Sequence, residues 1–215
     1  MTSRKQNSPV DFMSLLSLIA KDVPSPKARE RRKKPVPQHI LQLKISLKHV
    51  KPLIWRRILV ADNDTLGDLH DVIQTVMGWY GGHLHAFRMP SRGFGPPAMT
   101  FDNEEGNEQT TFLSEVLFQK GRKLIYEYDF GDGWEHDILL EKLIPFDPAA
   151  PLPFCLAGAR ACPPEDCGGF PGYYGILEAL KDPKTPENAV QLEWVGEFDP
   201  EAFDLDAVSK RLRRR

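Results

Sequence analysis

The stretch Tyr126-Glu-Tyr-Asp-Phe-Gly-Asp-Gly-Trp-Glu-His136 joins two runs of alternating apolar and polar residues. The first run begins at Lys123 and the second ends at Leu143. Such alternation is typical of half-buried strands, and the glycines between the runs favour a tight turn. A two-residue turn at Asp132-Gly133 would mix polar and apolar side chains on each face. A three-residue loop, Gly131-Asp132-Gly133, keeps both faces consistent, and this is the register that we predict.

This register decides which side chains the hairpin presents. Tyr128 pairs with His136 on the apolar face, and Phe130 pairs with Trp134. The opposite face carries four carboxylates, those of Glu127, Asp129, Glu135 and Asp137. Facing like charges destabilise a sheet, so this face is either fully solvated and screened, or satisfied by a divalent cation or a basic segment.

The rest of the chain predicts more strands, joined mainly by hairpins, and a few helices. Residues 41–47 and 53–60 are predicted strands, and Thr65 begins a helix whose apolar stripe ends at Gly78. Further predictions are a strand at 83–89, a short helix from 114, a helix at 173–180, a strand at 189–194, a last helix at 206–213, and loops at 90–111 and 145–171. This pattern favours an α+β fold with a largely antiparallel sheet and a few packed helices.

Charge divides the chain into three parts. Residues 1–38 contain nine basic and three acidic side chains, and residues 208–215 contain five basic side chains and no acid. Residues 39–207 contain 14 basic and 27 acidic side chains. We therefore predict a flexible basic, Pro-rich arm at 1–38 with a short amphipathic helix at 10–22, one α+β domain at 39–207, and a basic tail at 208–215.

The same charges narrow the partners and the compartment. An acidic domain repels a phosphate backbone, so nucleic acid is a candidate partner only through the basic tails. A protein is the other candidate partner. The apolar run Phe12 to Ala20 is too short to span a bilayer, so we predict no membrane partner. Three cysteines, an odd number, do not suit a disulfide framework, and we expect a cytoplasmic protein with reduced thiols.

A second Gly-punctuated motif, Cys162-Pro-Pro-Glu-Asp-Cys-Gly-Gly-Phe-Pro-Gly-Tyr173, follows about thirty residues later. We expect the two motifs to share one cleft, with Cys162 nearby. The candidate catalytic residues are the acids and the histidine of the two motifs: Asp129, Asp132, His136, Glu165 and Asp166. The candidate ligands of a divalent metal, zinc in particular, are Cys155, Cys162, Cys167, His83 and His85. Several candidates also have a purely structural interpretation. His136 could be a neutral core residue, and Glu165 and Asp166 could cap a helix. The cysteines could be small buried residues, since their spacing matches no zinc finger.

The sequence resembles the plasmid pRiA4b ORF-3-like family over about residues 39–195. The resemblance rests on the two motifs above and on four shorter ones: Pro52-Leu-Ile-Trp-Arg-Arg57, Leu66-Gly-Asp-Leu-His70, Gly78-Trp79 and His83-Leu-His85. Members of this family occur on plasmids and in mobile elements, some under a resolvase-like name. The resemblance implies an α+β fold and no established activity. A serine nucleophile in an arginine-rich setting, as in serine resolvases, does not stand out in this sequence.

Two classes of function remain open at this point. In the first, the chain is a non-catalytic binding module whose acidic, Gly/Cys-rich site takes a protein or a metal. In the second, it is a metal-dependent hydrolase or nuclease that uses the motif carboxylates and His136. The second class requires the two motifs to meet in one pocket. We favour the binding module, because a negatively charged domain is a poor nuclease surface.

Overall fold

The structure, a computed structural model, describes residues 32–97 and 106–214. The chain divides into two units, Met1–Arg32 and Lys33–Arg215, and the second unit is described below. The amphipathic helix predicted at 10–22 lies outside the described residues.

Eight strands form one sheet in the order β5-β4-β3-β6-β7-β1-β2-β8. All neighbouring strands pair antiparallel except β4 and β5, which are parallel. The strands are β1 His39–Leu47, β2 Trp55–Ala61, β3 His85–Met89, β4 Arg92–Gly95, β5 Gly106–Asn107, β6 Lys123–Tyr128, β7 Trp134–Pro145 and β8 Phe154–Ala159. The predicted α+β class with a largely antiparallel sheet is confirmed.

Five helices are present in the described part of the chain. They are α1 Leu66–Met77, α2 Leu113–Val116, α3 Gly169–Lys181, α4 Pro186–Val195 and α5 Leu205–Leu212. Helix α1 begins with the predicted cap, since Thr65 and Asp68 form a reciprocal capping box, and it ends at a left-handed Gly78. None of these helices is long and apolar enough to cross a membrane.

The core lies on one face of the sheet. In β1 the side chains of Leu41, Leu43, Ile45 and Leu47 are fully buried, as their alternation predicts, and they join one apolar cluster with α1, α5 and β7. Arg56 also faces this core. Its guanidinium donates to the carbonyl oxygens of Val76 at the end of α1 (2.8 Å) and of Ala159 (2.9 Å). A cation at the C-terminal end of a helix also complements the helix dipole.

The predicted hairpin register is wrong by two residues. Tyr128 pairs with Trp134 and Tyr126 with His136, so five residues, 129–133, form the turn instead of three. The division of the faces nevertheless holds in the strands, because a shift of two residues keeps each side chain on its own face. Asp129 lies in the turn and is not on the strand face where we expected it.

Two carboxylates on the outer face of the hairpin, Glu127 and Glu135, are paired with basic side chains of the domain. Glu127 and Glu135 do face each other, as like charges across β6 and β7. The Arg88 guanidinium lies 2.7 Å from both carboxylates, and the Lys48 ammonium lies 2.7 Å from Glu135. The Lys48 hydrogen bond is the main cause of a lowered pKa of Glu135. Arg88 of β3 and Lys48, just after β1, therefore neutralise Glu127 and Glu135.

Three predicted elements are wrong. The loop at 90–111 contains β4 and β5, where Phe94 is buried opposite Phe87. The loop at 145–171 contains β8, an edge strand that pairs with β2. The strand at 189–194 is part of α4, which begins with a Thr185 cap and Pro186 in the first turn. In the first two cases a neighbouring strand supplies the partner, which local composition does not reveal.

The predicted domain boundaries cut through ordered structure at both ends. Residues 34–38 contact the turn after β2, where the Asn63 side chain donates to the Pro35 carbonyl (2.7 Å) and the Gln38 N–H donates to Asp62 (3.0 Å). At the other end, residues 208–212 are not a tail but the second half of α5, with Val208 and Leu212 buried. Because basic residues separate the apolar ones in this helix, its apolar stripe was not recognised in the sequence.

Candidate functional site

The turn between β6 and β7 presents two aspartates. The Asp129 carboxylate accepts hydrogen bonds from the N–H groups of Gly131 (3.0 Å) and Asp132 (3.3 Å), so it organises its own turn. The φ angle of Asp129 is 55°, in the left-handed region that non-glycine residues rarely adopt. At the far end of the turn, the Gly133 N–H donates to the Asp129 carbonyl (2.6 Å).

The second motif forms the turn before α3 and touches the first motif. Asp166 is left-handed as well, with a φ angle of 58°. A Cβ atom at Gly169 would lie 2.6 Å from the Asp132 carbonyl oxygen, which is closer than side chains approach a backbone. The Trp134 and Phe170 rings pack edge to face, with centroids 5.0 Å apart. The two motifs therefore meet, and glycine permits the close approach.

A third segment, residues 79–84 between α1 and β3, completes the site. The Trp79 indole N–H donates to the Pro163 carbonyl of the second motif (2.9 Å). On its other side, the indole ring stacks on Tyr128 of the first motif, with centroids 5.1 Å apart. Trp79 is buried and contacts both motifs just after the end of α1, so it packs the two motifs together there.

Glu165 is held by both of its oxygens. It accepts a hydrogen bond from the Tyr128 hydroxyl through one oxygen and from the Tyr80 N–H (2.9 Å) through the other. Burial, together with the hydrogen bond to Glu165, raises the pKa of Tyr128, so the phenol stays protonated and donates. The carboxylate of Glu165 thus joins all three segments.

Three side chains of types that can hold a metal ion, His83, Asp129 and Asp166, converge where these segments meet. One ligand atom from each lies within 4.8 Å of the others. The His83 Nε2 is 3.1 Å from Asp166, and its Nδ1 is 3.7 Å from Asp129. The Asp129 side chain is 13% exposed and that of Asp166 is 69% exposed, so the group spans from a half-buried position to open surface.

This arrangement supports two kinds of chemistry. A protonated His83 bridges the two carboxylates through its two ring nitrogens. A neutral His83 offers one nitrogen, beside two carboxylate oxygens, to a divalent cation. Imidazole and carboxylate are ligands of zinc, manganese and iron, and three protein ligands leave coordination positions open.

Asp132 lies beside this group. Its Oδ2 atom is buried and has no hydrogen-bond partner among the described residues. The charges of Asp132 and Asp166 contribute, after burial, to a pKa of about 12 for Cys167. Cys167 is therefore a neutral thiol, and the Asp132 Oδ2 atom is a buried carboxylate oxygen that no described group satisfies.

His136 does not reach this surface. The ring is fully buried, and its Nδ1 lies 3.1 Å from the Trp134 carbonyl and 3.3 Å from that of Tyr126, both of which accept its proton. Burial lowers the pKa of His136 to about 4, so the ring is neutral. The alternative of a neutral core histidine fits these contacts better than a ligand or a base at the surface.

The predicted cysteine ligands are not gathered. Cys155 is buried on β8, while Cys162 packs against the Met77 sulfur (3.1 Å) and the Arg56 guanidinium (3.7 Å). Burial raises the pKa of Cys162 to about 11. No group of three metal-binding side chains within residues 32–97 and 106–214 includes a cysteine. The described residues therefore do not bring the predicted Cys/His zinc ligands together, and the small thiols of Cys155 and Cys162 pack in the core.

His85, the other predicted histidine ligand, belongs to a different network. Its Nε2 lies 2.8 Å from the buried Glu108, and its ring stacks on His70 with centroids 3.5 Å apart. His70 in turn lies 2.7 Å from the Tyr126 hydroxyl. Sequence reasoning missed Glu108, because it follows a segment without periodicity, and it missed the roles of Trp79 and Tyr80. The Gly78-Trp79 motif was the available signal for Trp79.

The fold is that of a small α+β protein with one mostly antiparallel sheet. Comparison with known proteins shows the family to which the chain belongs. Residues 39–207 match the family described as plasmid pRiA4b ORF-3-like protein. The chain belongs to this family, as the motifs predicted.

Two relatives illustrate the similarity. An uncharacterized protein, y4hQ, of Sinorhizobium fredii (strain NBRC 101917 / NGR234) is 39% identical over 180 residues, which cover 80% of this chain and 90% of the relative. The crystal structure of a protein of unknown function, MM3350, from Methanosarcina mazei Go1 is 39% identical with a TM-score of 0.74. That match covers 81% of this chain and 99% of the other. Neither name states an activity.

Proposed function

We propose that this protein is a binding module organised by a divalent cation, which His83, Asp129 and Asp166 hold at the junction of the two motifs. The observation that carries the proposal is the convergence of one imidazole and two carboxylates within 4.8 Å. The three ligands come from three separate segments, so a bound cation would link the segment before β3, the β6–β7 turn and the turn before α3.

Electrostatics support a cation at this place. Asp129, Asp132, Glu165 and Asp166 carry four formal negative charges around one histidine. The Tyr128 hydroxyl and the Tyr80 N–H are neutral donors to Glu165, so they do not cancel its charge. Carboxylates gathered in this way are stabilised by a cation of charge +2.

The contacts of the candidate catalytic residues favour binding over hydrolysis. His136, the candidate base, is neutral and fully buried. Both oxygens of Glu165, the carboxylate next to the cluster, already accept hydrogen bonds. Even with a divalent cation bound, four carboxylates leave the site formally negative, which opposes a phosphodiester substrate. For these reasons we do not propose the hydrolase or nuclease.

The proposal is tested by elemental analysis of the purified protein, followed by titration calorimetry with Zn²⁺ and Mn²⁺ after chelation. We expect one cation per chain. Asp166→Asn and His83→Ala should each weaken binding at least about tenfold, which corresponds to about 1.4 kcal/mol. Because protons compete with the metal for its ligands, the affinity should fall as the pH is lowered.

Asp182→Asn is the matched control. It removes the same charge from an exposed aspartate at the end of α3, away from the cluster, and should leave the affinity unchanged. If the wild-type protein binds neither cation, or if Asp182→Asn weakens binding as much as Asp166→Asn, the site is not where we place it.

A further inference from the structure

Exposed aromatic side chains flank the candidate metal ligands. Tyr80, three residues before His83, is 91% exposed, although its N–H is fixed by Glu165. Phe130, next to Asp129, is 42% exposed in the turn. Aromatic side chains that are exposed beside a polar site can act as anchors in a protein-binding surface.

The candidate site is also open in its coordination. His83, Asp129 and Asp166 supply three ligand atoms, whereas zinc in a closed site takes four. The Asp166 side chain is 69% exposed, so a partner could reach the cluster from solvent. A donor atom from outside the chain would complete the coordination.

The formal charge of the site indicates which type of donor group a partner would supply. With the cation bound, the four carboxylates of Asp129, Asp132, Glu165 and Asp166 still leave a formal charge of −2. A carboxylate or a phosphate would add to this charge and be repelled. A neutral imidazole adds none, and lysine or arginine beside it would be attracted.

We propose that the occupant of this surface is a segment of a partner protein that carries a histidine between basic and apolar residues. The histidine takes the open position on the metal, the basic residues face the motif carboxylates, and the apolar residues pack on Tyr80 and Phe130. This inference rests on the proposed metal site and names its partner. It also accounts for a negatively charged domain whose aromatic residues lie in solvent beside its acids.

The test is selection from a displayed random-peptide library on the zinc-loaded protein, with binding of the selected peptides measured by fluorescence anisotropy. We expect enriched peptides to contain histidine, lysine or arginine, and an apolar residue. Their binding should be lost in chelator and weakened at least about tenfold by Tyr80→Ala or Asp166→Asn. Higher salt should weaken it further, because the basic residues act through charge.

Trp194→Ala is the matched control, since Trp194 is an aromatic residue on α4 that is 55% exposed. It should leave peptide binding unchanged. If zinc binds but the selected peptides are acidic, lack histidine or are insensitive to Tyr80→Ala, or if none is enriched, the inference is overturned and the metal site stands. If calorimetry shows no zinc binding, the proposed function fails, and this inference fails with it.

Discussion

Replacing Gly169 with alanine tests the contact between the two motifs. The φ angle at Gly169 is 64°, and a left-handed conformation costs an alanine about 1–2 kcal/mol. The new Cβ would also lie 2.6 Å from the Asp132 carbonyl oxygen, a backbone atom that cannot swing aside. Overpacking of this kind costs about 1–3 kcal/mol more. We expect Gly169→Ala to destabilise the fold by about 2–5 kcal/mol.

Gly133→Ala separates these two contributions. Gly133 has a φ angle of 69°, nearly that of Gly169, but nothing lies within 4 Å of the position of its Cβ. The Gly133→Ala variant should therefore lose only the stability that the left-handed conformation costs an alanine, about 1–2 kcal/mol. Both variants are compared with the wild type by urea unfolding, where equal slopes make the midpoints comparable. If the two variants lose the same stability, the motifs do not touch at Gly169.

Two further predictions concern buried histidines. The His136 ring should stay neutral until the pH falls to about 4, as ring NMR shifts would show. Because this folded pKa lies below the unfolded value of about 6.5, His136 stabilises the fold fully above pH 6.5, and that stability is lost as the pH falls towards 4. Glu108→Ala should cost about 1–3 kcal/mol in urea unfolding, since it leaves the buried His85 ring without its hydrogen-bond partner. Glu108→Gln, which keeps a hydrogen-bonding oxygen, should cost less, and equal losses would contradict this role.

The sequence predicted the parts of the fold that local periodicity records. The strand at 41–47 and the helix from Thr65 to Gly78 lie where their apolar spacing places them. The hairpin register was missed for a physical reason. Polarity along a strand repeats every two residues, so two registers that differ by two residues bury the same side chains, Tyr128 and Trp134 among them.

The candidate site was predictable in part. Asp129 and Asp166 were candidates because they lie beside glycine turns, and the structure brings both to one cluster. His83 was grouped with the cysteines, since nothing local links it to carboxylates about 45 and 80 residues away. Nucleic-acid binding through the basic termini stays a prediction, although residues 208–212 now belong to a packed helix.

Backbone conformation gives an independent argument about the same cluster. Among the described residues, four non-glycine residues have positive φ angles, and two of them, Asp129 and Asp166, are the carboxylate members of the cluster. Aspartate tolerates this conformation better than most residues, and Asp129 is aided by its bond to the Gly131 N–H. Strain of this kind persists where the surrounding structure imposes it, and it concentrates at ligand clamps. In both turns the unusual conformation belongs to the residue whose side chain faces His83, which is the pattern expected if the turns are built to present ligands.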